Sequence, residues 1–214
     1  MNKFMEEALK EAAIAFELGE VPIGAVIEKD GQIIARGHNL TETLKDPTAH
    51  AEMIALREAA RVLGGWRLLG CNLYVTIEPC SMCAGAMVWS RIDNLYIGAM
   101  DPKAGACGSV FQIPCCDKLN HQINVETGIM EEECSSIMRE FFVRLRNRKK
   151  NSKSKYKNSI ILYVRRHFIY TRFLTLPILL NRLISNGENQ RKKEIYQAIS
   201  FPINLLLYKV IYEH

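Results

Sequence analysis

The sequence predicts an α/β fold, a three-layer α/β/α sandwich around a central mixed sheet of about five strands. Two observations carry this. Apolar spacing switches between helical and strand periods in the order α-β-β-α-β-α-β, then a long loop, a strand and a helix. One strand pair is joined by a hairpin turn, whereas other strands are separated by helices, which places helices on both faces of a sheet.

The elements follow in chain order. Asn2 can cap a helix that runs to about Leu18 and stops at Gly19, with Ala8, Leu9, Ala12, Ala15 and Phe16 at helical spacing. Residues 23–28 and 32–37 read as strands around the turn signal Lys29-Asp30-Gly31. Residues 38–47 are polar and loop-like. Thr48 can cap a second helix, from about 49 to 63, ended by Gly64-Gly65. Residues 72–77 form an apolar strand, and Pro79 opens a third helix over 81–90. A short strand over 95–99 precedes a loop over 101–120 and a weak strand over 122–126. The last helix, 131–148, is acidic at its start and basic at its end, as the helix dipole favours.

The chain of 214 residues suits one domain with an appendage. The boundary expected is a domain over 1–150 and an atypical basic C-terminal extension over 151–214. The overall charge of +5 hides an asymmetry: residues 1–138 carry 11 Lys/Arg against 19 Asp/Glu, and residues 139–214 carry 17 against 4. Phosphate contacts are therefore to be sought at the C-terminal end. The extension has one Ala and one Gly in its 64 residues and shows no convincing helical or strand period. Two readings of it stand: a non-homologous, disordered addition, or a basic arm that binds RNA or a membrane surface.

Seven scattered cysteines argue against a disulfide framework. The N-terminal segment is amphipathic and acidic, unlike an export signal. The longest uncharged run, 14 residues from Ile195 to Tyr208, falls short of the ~20 that cross a bilayer. A cytoplasmic protein is expected, with no membrane partner and with reduced thiols available to metal.

Three residues carry the chemistry. Cys80-Ser-Met-Cys83 places two thiols at zinc-site spacing, at a helix start where the dipole favours the thiolate. His50 lies at the start of another helix. If the two helix starts meet, the three surround one Zn2+. Three protein ligands leave a fourth position for water, whose pKa can fall from 15.7 toward ~7. Glu52, two residues beyond His50, could take the proton from that water and pass it to a ring nitrogen and a leaving amine. A structural four-ligand site would need a further donor, for which Cys107, Cys115 and Cys116 are candidates.

His50-Ala51-Glu52 with Pro79-Cys80-Ser-Met-Cys83 is the H-x-E and P-C-x-x-C signature of zinc nucleobase deaminases. Over about residues 4–150 the chain resembles bacterial tRNA-specific adenosine deaminases. The shared segments are Glu20-Val-Pro-Ile-Gly-Ala-Val26, Asp46-Pro-Thr-Ala-His-Ala-Glu52, Leu73 through Met87, Ser90-Arg-Ile92, Gly98 through Ser109, and Phe141-Phe142 followed by basic residues. The resemblance implies a cytidine-deaminase-like fold and a homodimer. It implies zinc ligation by His50, Cys80 and Cys83, and proton transfer by Glu52. It further implies that Asn39 hydrogen-bonds the target base, Val21 packs on it, the Ala51 N–H contacts the attacking oxygen, and Asp101 meets the RNA backbone or a 2′-OH. Phe142 can stack on an unpaired base, with Arg144, Arg146, Arg148, Lys149 and Lys150 neutralising phosphates. Alternatively the helix buries Phe141 or Phe142 and the basic residues only solvate its C-terminus.

The function this implies is hydrolytic deamination of adenosine to inosine at the wobble position of a tRNA anticodon stem-loop. The alternatives are a deaminase of free guanine, cytosine or a nucleoside, and a non-catalytic zinc-stabilised RNA-binding module. Residues 40–45 and 151–214 depart from the family pattern.

Overall fold

A computed structural model describes the backbone of residues 2–170 and the side chains of residues 2–150. The chain divides into two compact units after Arg148. Every element that positions the site lies in the first.

Helix α1, Lys3–Leu18, starts where Asn2 Oδ1 accepts the Phe4 and Met5 N–H groups. It stops at Gly19, which is left-handed at φ 80°. Strands β1, Gly24–Lys29, and β2, Gln32–His38, form the expected hairpin. Asp30 and Gly31 both take positive φ at the turn, the backbone twist that a two-residue hairpin loop needs.

Two expectations fail between β2 and the next long helix. Residues 38–47 are not all loop: Thr41–Leu44 forms a short helix, α2. Its first turn is held by Glu20, whose carboxylate accepts from Thr41 Oγ1 and from the Glu42 and Thr43 N–H groups. The partner lies 21 to 23 residues away, so no local signal announces it. Thr48 is not a helix cap either. Its N–H and hydroxyl both donate to Asp46 Oδ1. Helix α3, Ala51–Leu63, instead begins after His50, which occupies the capping position without a side-chain capping bond.

Strand β3, Cys71–Ile77, leads into α4, Ser81–Ser90, and then β4, Asn94–Ala99. Strand β5, Asn124–Thr127, lies two residues later at its start than predicted. Helix α5 spans Glu131–Tyr170 and overruns the predicted end at residue 148. Residues 151–170 contain neither Gly nor Pro, so nothing interrupts the backbone ladder even though the sequence lacks an amphipathic period. Whatever residues 171–214 do as extension or arm lies outside the described residues.

The sheet order is β2-β1-β3-β4-β5. Strand β1 is antiparallel to β2 and β3, and β3, β4 and β5 are parallel. Alternate side chains serve opposite layers. Ala25, Ile27, Leu73, Val75, Leu95 and Ile97 join α3 and α4 in the larger core. Val26 and Tyr74 pack with Met5, Ala8 and Cys134 on the other face.

Close approach of α3 sets the site. Ala51, Ala55 and Ala59 are fully buried on the helix face that meets the sheet. A Cβ on Gly37 of β2 would stand 2.2 Å from the Ala51 carbonyl oxygen and 2.8 Å from the Ala55 nitrogen. Only glycine lets the first turn of α3 rest on the strand. Gly37→Ala is therefore expected to destabilise the fold by ~1–3 kcal/mol through overpacking. It should also displace the start of α3, so thermal denaturation and metal content of the purified variant should fall together.

Candidate metal centre

Strands β2 and β3 run in the same direction, because each is antiparallel to β1. Their C-terminal ends share one edge of the sheet. Chain leaving β2 forms the Asn39 turn and reaches α3. Chain leaving β3 passes Glu78-Pro79 and enters α4. The N-termini of the two helices thus face each other at the carboxyl edge, where open α/β sheets build their sites.

His50 and Cys80 are the N-capping residues of α3 and α4, and Cys83 is the third residue of α4. His50 Nδ1 is 3.7 Å from Cys80 Sγ and 3.6 Å from Cys83 Sγ, and the two sulfurs are 3.7 Å apart. Tetrahedral zinc with its usual bond lengths would hold one nitrogen and two sulfur donors ~3.5–3.8 Å apart. Geometry and donor chemistry both fit that ion. Cys107, considered as a fourth donor, is buried and points its thiol at the Pro79 carbonyl. Among the described residues, the cluster that could hold a metal is His50, Cys80 and Cys83.

The donors already share protons. The Cys83 thiol hydrogen bond, with help from His50, draws the Cys80 thiol down to about 3. The Cys80 sulfur and burial push the Cys83 thiol far up, and the Cys80 hydrogen bond raises the His50 imidazole. A thiolate is thus formed readily here, the state that binds metal.

Glu52 lies in the first turn of α3 and is 2% exposed. Burial raises its carboxyl to about 6. Its Oε2 is a buried oxygen with no hydrogen-bond partner. Such an atom is rare in folded proteins.

Asn39 is buried, and its Oδ1 accepts the Ala51 N–H at 3.0 Å. That bond alters two expectations. The Ala51 N–H, expected at the attacking oxygen, is occupied by Asn39. Asn39 commits its oxygen to Ala51, which leaves its Nδ2 donor for a ligand. Val21 is half-buried on the turn before β1, and the Ile23 carbonyl beyond it accepts the Asn39 N–H at 3.2 Å. Asp101 follows β4 and is half-buried, with Oδ1 accepting the Lys103 N–H. Phe142 is exposed on α5, whereas Phe141 is buried edge-on against Phe16. The structure thus separates the two phenylalanines: Phe141 serves the core, and the more exposed Phe142 meets it edge-on.

Sequence reading overlooked Glu20 and Glu78. Both are charged residues at the ends of structural elements, and both are buried. That position in an otherwise apolar run was the available signal.

Residues 1–99 match the cytidine and deoxycytidylate deaminase zinc-binding region, the class that this sheet edge and donor set define. The chain is 52% identical over 147 residues to a tRNA-specific adenosine deaminase of Bacillus subtilis, covering 69% of this chain and 91% of the relative. It is 52% identical over 144 residues to one of Aquifex aeolicus, covering 67% and 95%. This chain belongs to the tRNA-specific adenosine deaminase family. A solved structure from studies of A-to-I editing by tRNA:A34 deaminases superposes with a TM-score of 0.61 at 49% identity, over 63% of this chain and 98% of that one. A guanine deaminase from Nitrosomonas europaea reaches 0.55 at 27% identity, over 64% and 82%.

Glu20 offers a test of the site's scaffold. Burial pushes its carboxyl up, but the Thr43, Glu42 and Thr41 hydrogen bonds outweigh this and hold it below the ordinary 4.5. A depressed folded pKa adds stability above the unfolded value and loses it as pH falls through the folded one. The melting temperature of the protein should therefore drop as pH falls below about 4.5. In Glu20→Gln it should be lower at neutral pH and less steeply dependent on acid.

Proposed function

We propose that this chain is a zinc-dependent hydrolase that converts adenosine to inosine at the wobble position of a tRNA anticodon. The observation that carries the reading is the His50, Cys80 and Cys83 triangle beside a buried carboxylate oxygen without a partner.

His50 Nδ1 and the two cysteine sulfurs would hold the zinc ion. Bound there, zinc supplies Lewis acidity that makes water ionisable near neutral pH. Glu52 accepts one proton of the attacking water and gives it to the purine ring nitrogen, then takes the proton of the hydroxyl added to the ring and gives it to the departing amine. Its buried position suits that exchange, because burial brings its proton affinity toward neutrality. Asn39 donates from Nδ2 to the purine edge. Ala51, through its N–H to Asn39 Oδ1, fixes which end of the amide faces the base. Val21 packs on the base.

The preference for RNA over free bases rests on the two identities of 52% with tRNA-specific relatives. It also rests on the basic run over residues 144–150 within α5, which follows the exposed Phe142, a side chain able to stack on an unpaired base. Asp101 meets the RNA backbone or a 2′-OH. An unpaired anticodon base suits the mechanism, since extrusion from a duplex would cost a few kcal/mol. Residues 1–150 are the deaminase domain in this reading, a length in keeping with the 147 and 144 residues over which the relatives align. The protein acts in the cytoplasm. It forms a homodimer, in which a second copy covers apolar surface that includes the exposed Trp66 and Trp89. No helix among the described residues is long and apolar enough to cross a membrane.

Inosine sequencing of total tRNA after exposure to the purified protein should show inosine at the wobble position of at least one tRNA. Free guanine, cytosine and cytidine should remain unchanged. Turnover of the small molecules alone would overturn the RNA assignment. Glu52→Ala is expected to fold, retain zinc and lose at least about 10³-fold in kcat. Inosine formed at the wild-type rate by Glu52→Ala would overturn the proton-transfer role of Glu52, and a wild-type protein that binds zinc and the stem-loop but makes no inosine would mean that the zinc only stabilises an RNA-binding module.

A further inference from the structure

We infer that Glu78 is a positioning residue whose carboxylate clamps loop 101–109 to the turn carrying Cys80 and thereby sets the place of Asp101. The second half of this inference, that Asp101 meets RNA, rests on the proposed function.

Glu78 sits between the end of β3 and Pro79-Cys80 and is 4% exposed. Its Oε1 accepts the Cys107 N–H at 2.9 Å and the Ser109 N–H at 3.0 Å. Its Oε2 accepts the Asp101 N–H at 2.9 Å and the Ser109 hydroxyl. Three backbone donors and one hydroxyl from a single loop thus converge on one buried charge. Charge-assisted bonds of this kind are roughly twice as strong as neutral ones.

The loop is shaped to reach the carboxylate. A Cβ on Gly105 would stand 2.1 Å from Glu78 Oε2 and 2.6 Å from the Asp101 carbonyl oxygen, so a bare backbone is required there. Gly105 pairs with Cys80 in an isolated bridge, and the Ala106 N–H donates to the Pro79 carbonyl at 2.8 Å. The segment that delivers Cys80 and the segment that delivers Asp101 are therefore one hydrogen-bonded unit, and Glu78 supplies its charged centre. Asp101 is bonded to Glu78 through its backbone N–H, while its side chain remains free of that bond.

Two variants separate this role from plain structural support. Glu78→Gln removes the charge and turns an amide N–H toward the loop donors. Ser109→Ala removes one donor and is the milder change. Hydrogen exchange should accelerate at the Asp101, Cys107 and Ser109 amides of Glu78→Gln and stay unchanged in β3 and α4. Unchanged exchange at those three amides overturns the clamp, whatever the protein acts on.

With an anticodon stem-loop bearing adenosine at the wobble position, KM for Glu78→Gln should rise at least about tenfold, with kcat within about threefold and zinc content unchanged. Ser109→Ala should shift KM in the same direction by a smaller factor. Combining Glu78→Gln with Asp101→Ala should raise KM no further than the larger single change, because both act through one contact. Loss confined to kcat or to zinc content, or independent effects in the double variant, overturns the positioning role. A wild-type protein that makes no inosine defeats the proposed function, and the exchange measurement then decides the clamp alone.

Discussion

His50 Nδ1 lies within 3.7 Å of two sulfurs that stand 30 and 33 residues further along the chain, and the fold is arranged around that meeting. The requirement is that two helix N-termini point at one place. An antiparallel β1 between β2 and β3 satisfies it, because it makes the strands that precede the two helices parallel. The exact approach is then a matter of backbone thickness. Gly37 brings the first turn of α3 onto β2, and buried alanines keep the helix there. The dipoles of both helices favour negative charge where the thiols are.

Buried carboxylates separate structure from chemistry in this protein. Among the described residues, Glu11, Glu20, Glu28, Glu52 and Glu78 are buried. Glu11 meets His38 and Arg36, and Glu28 accepts from the Gly31 N–H and Asn72 Nδ2. Glu20 fastens α2, and Glu78 fastens loop 101–109. In each of these cases desolvation is offset by donors, as a stable interior requires. Glu52 alone keeps an oxygen without a partner, next to the metal-binding triangle. Stability gives no reason for that arrangement.

Much of this was readable from local chemistry. The Asn2 and Gly19 caps, the Asp30-Gly31 hairpin and the Pro79 helix start are signals within a few residues of the element they define. The His50, Cys80 and Cys83 cluster was legible because a cysteine pair three residues apart opens one helix and the histidine opens another. Tertiary partners were not legible. The short helix over 41–44 depends on Glu20, and the Thr48 hydroxyl chose Asp46 rather than a helix end. Likewise the Ala51 N–H, given a role toward substrate from resemblance, is taken by a side chain 12 residues earlier. The overrun of α5 to Tyr170 has a different cause: a polar helix with no amphipathic stripe leaves no period to read.

Chemistry and specificity occupy different parts of this fold. The solved structures that superpose on it include both a guanine deaminase and an enzyme from studies of tRNA editing, so the sheet and its helix termini do not select a substrate. Selection has to come from what surrounds the metal triangle, where the chain is largely loop. Those segments are not independent of the chemistry, however. Asn39 is fixed by the residue that lies between His50 and Glu52. Loop 101–109 is bonded to the residues that deliver Cys80. Both segments are therefore anchored by backbone hydrogen bonds to the turns that carry the metal-binding side chains. That anchoring explains how small irregular segments can be held accurately enough to present a base to the site, since rigid elements, not the loops themselves, determine their position.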